Sequence, residues 1–381
     1  MEPAIKVAVV TSRLRRLIAS SDEWLWALRG VLRKILEDRS TLVIGDGTAG
    51  AEFVRHAAIR LGIPFEVAVC PSDSSDDDRD VPIRDELVLT NADLVYVLGL
   101  RTGGNLHSLL RDRLQKQPGT VVLIEYGELQ ADAARQELCD SGAQSWMPLG
   151  DVCVPFERQS TPSDVLRTPD SSTQNDVYLI VPFPPDDGWE FLTHTTRSCP
   201  GPWPDETFEA YADSLLDAMP SADHSPLGTL RRIVDQKRLV ASNQTIRGGH
   251  AVVSFSACPL GQLPTLHRFR PHRVRWDFEP YGLCIRREWL IAHGARPACY
   301  GDESIWESMP EADKPFFQRS IGESGVDWTV EREWRHLGHL DLTDLTPDDV
   351  LLFVPTFEAA KSLAQITKWP ITLWPDAPKI H

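Results

Sequence analysis

Apolar runs at Lys6–Val10, Leu42–Ile44, Phe65–Cys70, Leu94–Leu98 and Val121–Ile124 alternate with stretches whose apolar positions recur at helical spacing. Runs this short, bounded by turn residues, predict buried strands, and the stretches between them predict helices. The first helix is expected to begin near Ser20, because Ser20-x-x-Glu23 has the form of a capping box. Behind it, Trp24, Leu25, Leu28, Val31, Leu32, Ile35 and Leu36 form an apolar stripe suited to a core. Further helices are expected over Ala51–Leu61, Ile83–Thr90 and Leu106–Leu114. Strand and helix in alternation imply a parallel sheet covered on both faces, so residues 1–150 are expected to form an α/β, Rossmann-like domain. From 151 to 190 the rhythm gives way to Pro, Ser, Thr and Asp, interrupted by Val177–Val181, and a linker is expected there. Residues 191–381 then predict an α+β domain, with strands at Ala251–Ser256 and Tyr281–Ile285. Its helices are expected at Glu206–Leu216, Leu227–Gln236 and Phe357–Ala364.

Two strand-to-helix corners are rich in glycine. Gly45-Asp46-Gly47-Thr48-Ala49-Gly50 follows the second strand as GxGxxG, in which the three glycines allow a tight turn, backbone approach to a phosphate and close helix packing. Gly45, Gly47, Thr48 and Gly50 are therefore candidate nucleotide contacts, with the anion at a helix N-terminus. The second corner, Gly99-Leu100-Arg101-Thr102-Gly103-Gly104-Asn105, adds Arg101, Gly103 and Gly104, the arginine being suited to fork onto a phosphate. The strand at Phe65 ends in Cys70-Pro71, without the acidic residue that holds a ribose in dehydrogenases. Redox use of NAD is therefore disfavoured.

The net charge of −16 and pI near 5.1 oppose non-specific binding to a polyanion. The seven cysteines are scattered without a CxxC pair, which predicts free cytoplasmic thiols and no metal knuckle. No apolar stretch is long enough to span a bilayer and no signal-peptide pattern opens the chain, so a cytoplasmic protein with no membrane partner is expected. The acidic stretch Ser72–Asp80 is expected to be a solvated loop rather than a metal site. Whether the chain forms a homo-oligomer is left open.

In the second half, three phrases carry candidate chemistry. Phe191–Arg197 contains His194 and Arg197, and Ser254-Phe255-Ser256 places two hydroxyls on one strand face. Read as a strand, Val330–Arg335 puts Glu331, Glu333 and Arg335 on one face. The alternative reading is a cross-strand charge ladder with hydroxyls bonded to their neighbours. Arg268-Phe269-Arg270-Pro271-His272-Arg273-Val274-Arg275-Trp276 is the most basic segment and interleaves aromatics, as a single-strand binder or a salt-bridged loop would. Asp277–Gly282 reads as a turn entering a strand.

On the first glycine corner, Asn91–Leu98 and the turn after it, the N-terminal domain resembles the Rossmann-like SLOG superfamily, which includes the LOG phosphoribohydrolases and the DprA DNA-processing fold. The resemblance implies nucleotide binding. Gly103-Gly104-Asn105-Leu106-His107 lacks the catalytic glutamate of the LOG turn, which disfavours hydrolase activity. The order Arg or His, Ser-x-Ser, Glu-x-Glu resembles the ADP-ribosyltransferase superfamily, and Trp-x-x-Glu-x-Glu-Trp-Arg is similar to a family linked to abortive phage infection. That resemblance implies NAD as the substrate, Glu333 as the catalytic carboxylate and Glu331 as its assistant. It further implies a nicotinamide pocket shaped by Ser254 and Ser256, and Arg197 or His194 holding the dinucleotide. Three functions stay open: an NAD-cleaving enzyme passing ADP-ribose to nucleic acid, protein or water, a sensor of a nucleotide signal, and a nucleic-acid-processing protein.

Overall fold

The structure, a computed structural model, describes residues 4–12, 18–45, 49–69, 77–126, 133–148, 179–244, 246–270, 275–322 and 325–375. It divides into two compact units, one of Met1–Pro162, Pro200–Pro202 and Glu206–Asp223, the other of Ser163–Cys199, Trp203–Asp205 and His224–His381.

The first unit is α/β. Strands β1 (Lys6–Thr11), β2 (Thr41–Gly45), β3 (Phe65–Ala68), β4 (Leu94–Gly99), β5 (Val121–Ile124) and β6 (Gln144–Trp146) form a parallel sheet in the order β3-β2-β1-β4-β5-β6. Period-two alternation divides the strand side chains between two cores. Val7, Leu42, Ile44, Tyr96, Leu98, Val122 and Ile124 pack with α1 (Glu23–Glu37) and α2 (Ala49–Leu61). Ala8, Val43, Val95, Val97, Val121 and Leu123 pack on the other side with α3 (Asp77–Asn91), α4 (Asn105–Lys116) and α5 (Ala133–Asp140). The expected strands are present, with α5 and β6 added beyond them.

Three local expectations change. Helix α1 starts at Glu23 with Asp22 as N-cap, so Ser20 is not the cap; the Asp22 carboxylate turns back to accept from the Ala19 amide at 2.9 Å. Helix α3 begins at Asp77, so part of the expected acidic loop is its first turn. The rest of that stretch lies outside the described residues. The helix expected at Glu206–Leu216 forms as α6 (Phe208–Leu216) but joins the first unit's core through Tyr211, Ala212, Leu215 and Leu216. Tyr211 Oη donates to the Ile18 carbonyl at 2.8 Å, Arg60 pairs with Asp217 at 2.6 Å, and His56 Nε2 meets Asp213 at 2.8 Å. Helical periodicity reveals an apolar face but not the sheet that the face will meet.

The second unit is built on a seven-stranded sheet in the order Arg296–Pro297, Glu333–Leu337, Val252–Ser256, β7 (Phe191–Thr195), Gly282–Arg286, Val350–Val354, Ile371–Leu373. Its pairs are antiparallel except the last, which is parallel. One face carries Leu192, Val253, Phe255, Leu283, Ile285 and Leu352 against α7 (Pro226–Gln236) and the Phe357–Ala364 helix. The other face has a smaller core of Cys258, Leu260, Leu263, Cys284, Leu351 and Phe353. Beside that core lies a patch of polar side chains. Gly282 allows the strands to pack here, since a Cβ would fall 2.2 Å from the His194 carbonyl oxygen.

Candidate functional site

In the first unit, chain connections leave β1 and β4 in opposite directions. This strand order places its switch point, where ligands bind in such sheets, between their carboxyl ends. Ser12 and the Gly99–Gly104 turn meet there. The Ser12 amide donates to the Gly99 carbonyl at 2.9 Å, and the Arg101 amide donates to Ser12 Oγ at 2.6 Å. The Gly103 amide donates to His107 Nδ1 at 3.3 Å, and the Gly104 amide to the Arg101 carbonyl at 3.1 Å. Three amides that the glycine pattern offers to an anion are thus engaged within the turn. Because His107 Nδ1 accepts, its proton sits on Nε2, which faces Glu137 at 3.3 Å. Gly103 has φ 69°, while Gly104 is the N-cap of α4 and leaves that terminus without a side-chain cap. The Arg101 side chain is exposed.

At the first corner, Gly45 is not in the left-handed region. A Cβ there would lie 3.1 Å from Val88 Cγ2 and 3.3 Å from Arg84, so this glycine admits α3 against β2. Gly50 stands in the first turn of α2. Gly47 and Thr48 lie outside the described residues.

In the second unit, the register Glu333↔Ser256, Arg335↔Ser254 and Thr193↔Ser256 puts these side chains on one sheet face. Ser254 Oγ donates to Glu333 Oε1 at 2.8 Å. Arg335, only 1% exposed, has every donor satisfied. Its Nε and Nη2 fork onto Glu333 at 2.9 and 3.0 Å, Nη1 donates to the Pro315 and Phe317 carbonyls, and Nη2 also reaches Gln318 Oε1 at 2.6 Å. A carboxylate offers roughly four acceptor positions. Arg335 and Ser254 fill three, leaving one on Oε2 of a side chain that retains 13% exposure. The Glu333 amide donates to Tyr300 Oη at 2.7 Å, and burial pushes the Tyr300 phenol up to about 12.

The other nominated residues do not all converge on this face. Glu331 is not on the strand: it ends a 3-10 turn, Thr329–Glu331, and Arg332 follows at φ 47°. That left-handed residue breaks the two-residue alternation on which a shared face with Glu333 depends. Ser256 Oγ is occupied with backbone, donating to the Glu331 carbonyl at 2.7 Å and accepting from the Cys258 amide at 3.1 Å. His194 lies on the opposite face, its ring 5.7 Å from that of Phe255 and its Nδ1 2.9 Å from the Ser254 carbonyl. Burial pushes it down to about 4, so the ring is neutral and Nδ1–H is the donor. Arg197 is exposed just beyond β7, beside Glu279, whose carboxyl is raised by burial and lowered in part by Arg197. Arg197 lies two residues beyond the end of β7, whereas Thr193, in the row of Glu333, is within the strand. The period-two spacing of Glu333 and Arg335 signals their pairing, whereas nothing local in the chain announces Tyr300 or Gln318.

No family model matches the chain, and no curated protein matches it. Among solved structures, it is similar to DNA processing protein A (DprA) from Streptococcus pneumoniae at 16% identity, over 38% of this chain and 58% of that one, with a TM-score of 0.29. It is also similar to DNA processing protein A from Helicobacter pylori, a protein with a single-stranded DNA binding mode, at 13% identity over 37% of this chain and 74% of that one, with a TM-score of 0.26. The chain thus spans little more than half the length of the pneumococcal protein. Overlap this loose carries no argument about function, and the Rossmann-like order rests on the sheet itself. Among the described residues, no helix is long and apolar enough to cross a membrane.

Proposed function

We propose that the second unit cleaves a dinucleotide of the NAD type at the bond between the nicotinamide nitrogen and the ribose C1′. The observation that carries this reading is the Glu333 carboxylate, oriented by Arg335 and Ser254 with one acceptor position left. A ribose 2′-hydroxyl fits that position. When the C1′–N bond breaks, nicotinamide leaves with the bonding pair and positive charge grows at C1′. A fixed carboxylate beside that carbon stabilises the developing charge without reorganising. Water, or an acceptor on nucleic acid or protein, then attacks C1′ and loses its proton. Arg335 acts as the positioning residue, and its own charge offsets part of the field of Glu333. Arg197, beyond the end of β7 and off the strand row of Glu333, takes a more distal part of an extended dinucleotide.

Incubation of the full chain with NAD and candidate acceptors, read by mass spectrometry, tests this reading through nicotinamide release and any mass added to an acceptor. A folded Glu333→Gln variant is expected to lose at least about a hundredfold in turnover, the scale on which one electrostatic stabiliser acts. Full turnover in that variant, or the absence of nicotinamide release from the parent chain, overturns the assignment.

A nucleotide sensor in the first unit has separate support from the switch point between β1 and β4 and from the side-chain-free cap of α4. Full-length protein is the appropriate material for testing it, because a fragment ending at residue 150 would lack α6 and expose the core which that helix covers. A nucleotide that raises the melting temperature supports the sensor, and Arg101→Ala is expected to diminish the shift.

A further inference from the structure

The basic segment forms a two-stranded ribbon, Arg268–Arg270 against Arg275–Asp277. Phe269 pairs with Trp276, which puts both rings on the same ribbon face with centroids 5.4 Å apart. Each of these residues is 45% exposed. His267 stacks on Trp276 at 4.5 Å and 27°, extending the aromatic surface. Next to the ribbon is a cleft of about 330 Å³ lined by Gln262, Thr265, Arg268 and Arg332, among others. Neither Arg268 nor Arg332 forms an ion pair among the described residues, although acidic residues outnumber basic ones by 55 to 39 in the whole chain.

We propose that this ribbon and cleft hold single-stranded nucleic acid, its bases stacked on His267, Phe269 and Trp276 on one ribbon face while its backbone turns over the ribbon edge, so that its phosphates reach Arg268, opposite Asp277 on the other face, and Arg332. The chemistry selects this occupant. Every base has a face that stacks on an aromatic ring, and unpaired arginines take phosphates. The accessible bases of a single strand can use the rings, whereas a duplex keeps its bases stacked inside. An acidic peptide could use the arginines but gains nothing comparable from the stacked rings. The strongly negative remainder of the chain confines the contact to this patch and keeps the number of neutralised phosphates small. The site does not involve Glu333, so NAD turnover and strand binding can each fail without the other.

Fluorescence anisotropy of the full chain with labelled single-stranded DNA and RNA of about 20 nucleotides tests the proposal, with duplex DNA and an acidic peptide as competitors. About two neutralised phosphates would give a slope near −1.4 for the logarithm of affinity against the logarithm of salt concentration. Trp276→Ala is expected to weaken binding roughly tenfold, while Trp276→Tyr, which keeps a stacking ring, restores most of it. Arg268→Glu combined with Arg332→Glu is expected to flatten the salt slope. A difference between the DNA and RNA arms identifies the natural strand. A flat salt response in the parent chain overturns the proposal, as does a folded Trp276→Ala variant with unchanged affinity. An acidic peptide that competes with equal potency, independently of Trp276, reassigns the surface to a protein partner and overturns it too.

Discussion

The glycine turn after β4 and the Glu333 face of the second sheet are both polar clusters on sheet scaffolds, and they differ in what remains uncommitted. In the turn, the amides of Arg101, Gly103 and Gly104 already have partners in Ser12, His107 and Arg101. On the second sheet, Arg335 is fully satisfied while the carboxylate that it orients keeps one acceptor position. A glycine-rich pattern establishes that backbone can approach a ligand, but a donor-by-donor count decides whether any donor is left for one. By that count, the second sheet has the clearer capacity for chemistry.

The sharpest way to break this comparison is to remove its keystone. Arg335→Leu leaves the mostly buried Glu333 without its counter-charge and strips hydrogen bonds from two carbonyls and Gln318. Breaking one side of a buried pair typically costs about 3–5 kcal/mol, so denaturant unfolding should show the second unit losing most of its cooperative transition. An unchanged midpoint would mean that the fork contributes nothing to the fold.

His194 provides the next largest effect, through pH. Its folded value of about 4 lies below the ordinary 6.5, so the folded state favours the neutral ring. Its contribution is complete above pH 6.5 and is lost as pH falls toward 4, amounting to roughly 3 kcal/mol at most. Equilibrium unfolding across that window should slope accordingly, and His194→Gln should remove this component of the slope.

The smallest effect expected belongs to the glycine turn. Gly103 has φ 69°, and a Cβ at this position would meet nothing within 4 Å, so Gly103→Ala should cost only the backbone strain, about 1 kcal/mol. A much larger loss of stability would reveal a packing role that the open surroundings do not predict.

The alternation of apolar runs makes the first sheet legible. Val121–Ile124 and Phe357–Ala364 form at the expected residues, because buried strands and amphipathic helices have distinct periods. Ser254 and Glu333 are legible as candidates, and their neighbouring strands bring them to hydrogen-bond distance. Glu331 reads as a strand residue in the sequence, yet one left-handed residue, Arg332, ends the alternation. His194 falls in with the hydroxyls on paper because its distance along the chain carries no record of the sheet face it occupies.

The sequence by itself determined the local periods: which segments become strands or helices, where polar residues recur every second position, and where charge is concentrated against an acidic background. Only the tertiary structure decided that α6 packs with the first sheet and that the Gly103 amide belongs to His107. It also decided that Tyr300, Gln318 and the carbonyls of Pro315 and Phe317 gather around the Glu333–Arg335 pair. The physical reason is range. Backbone sterics and side-chain alternation act between near neighbours in the chain, whereas a buried charge must find partners wherever folding brings donors and acceptors together.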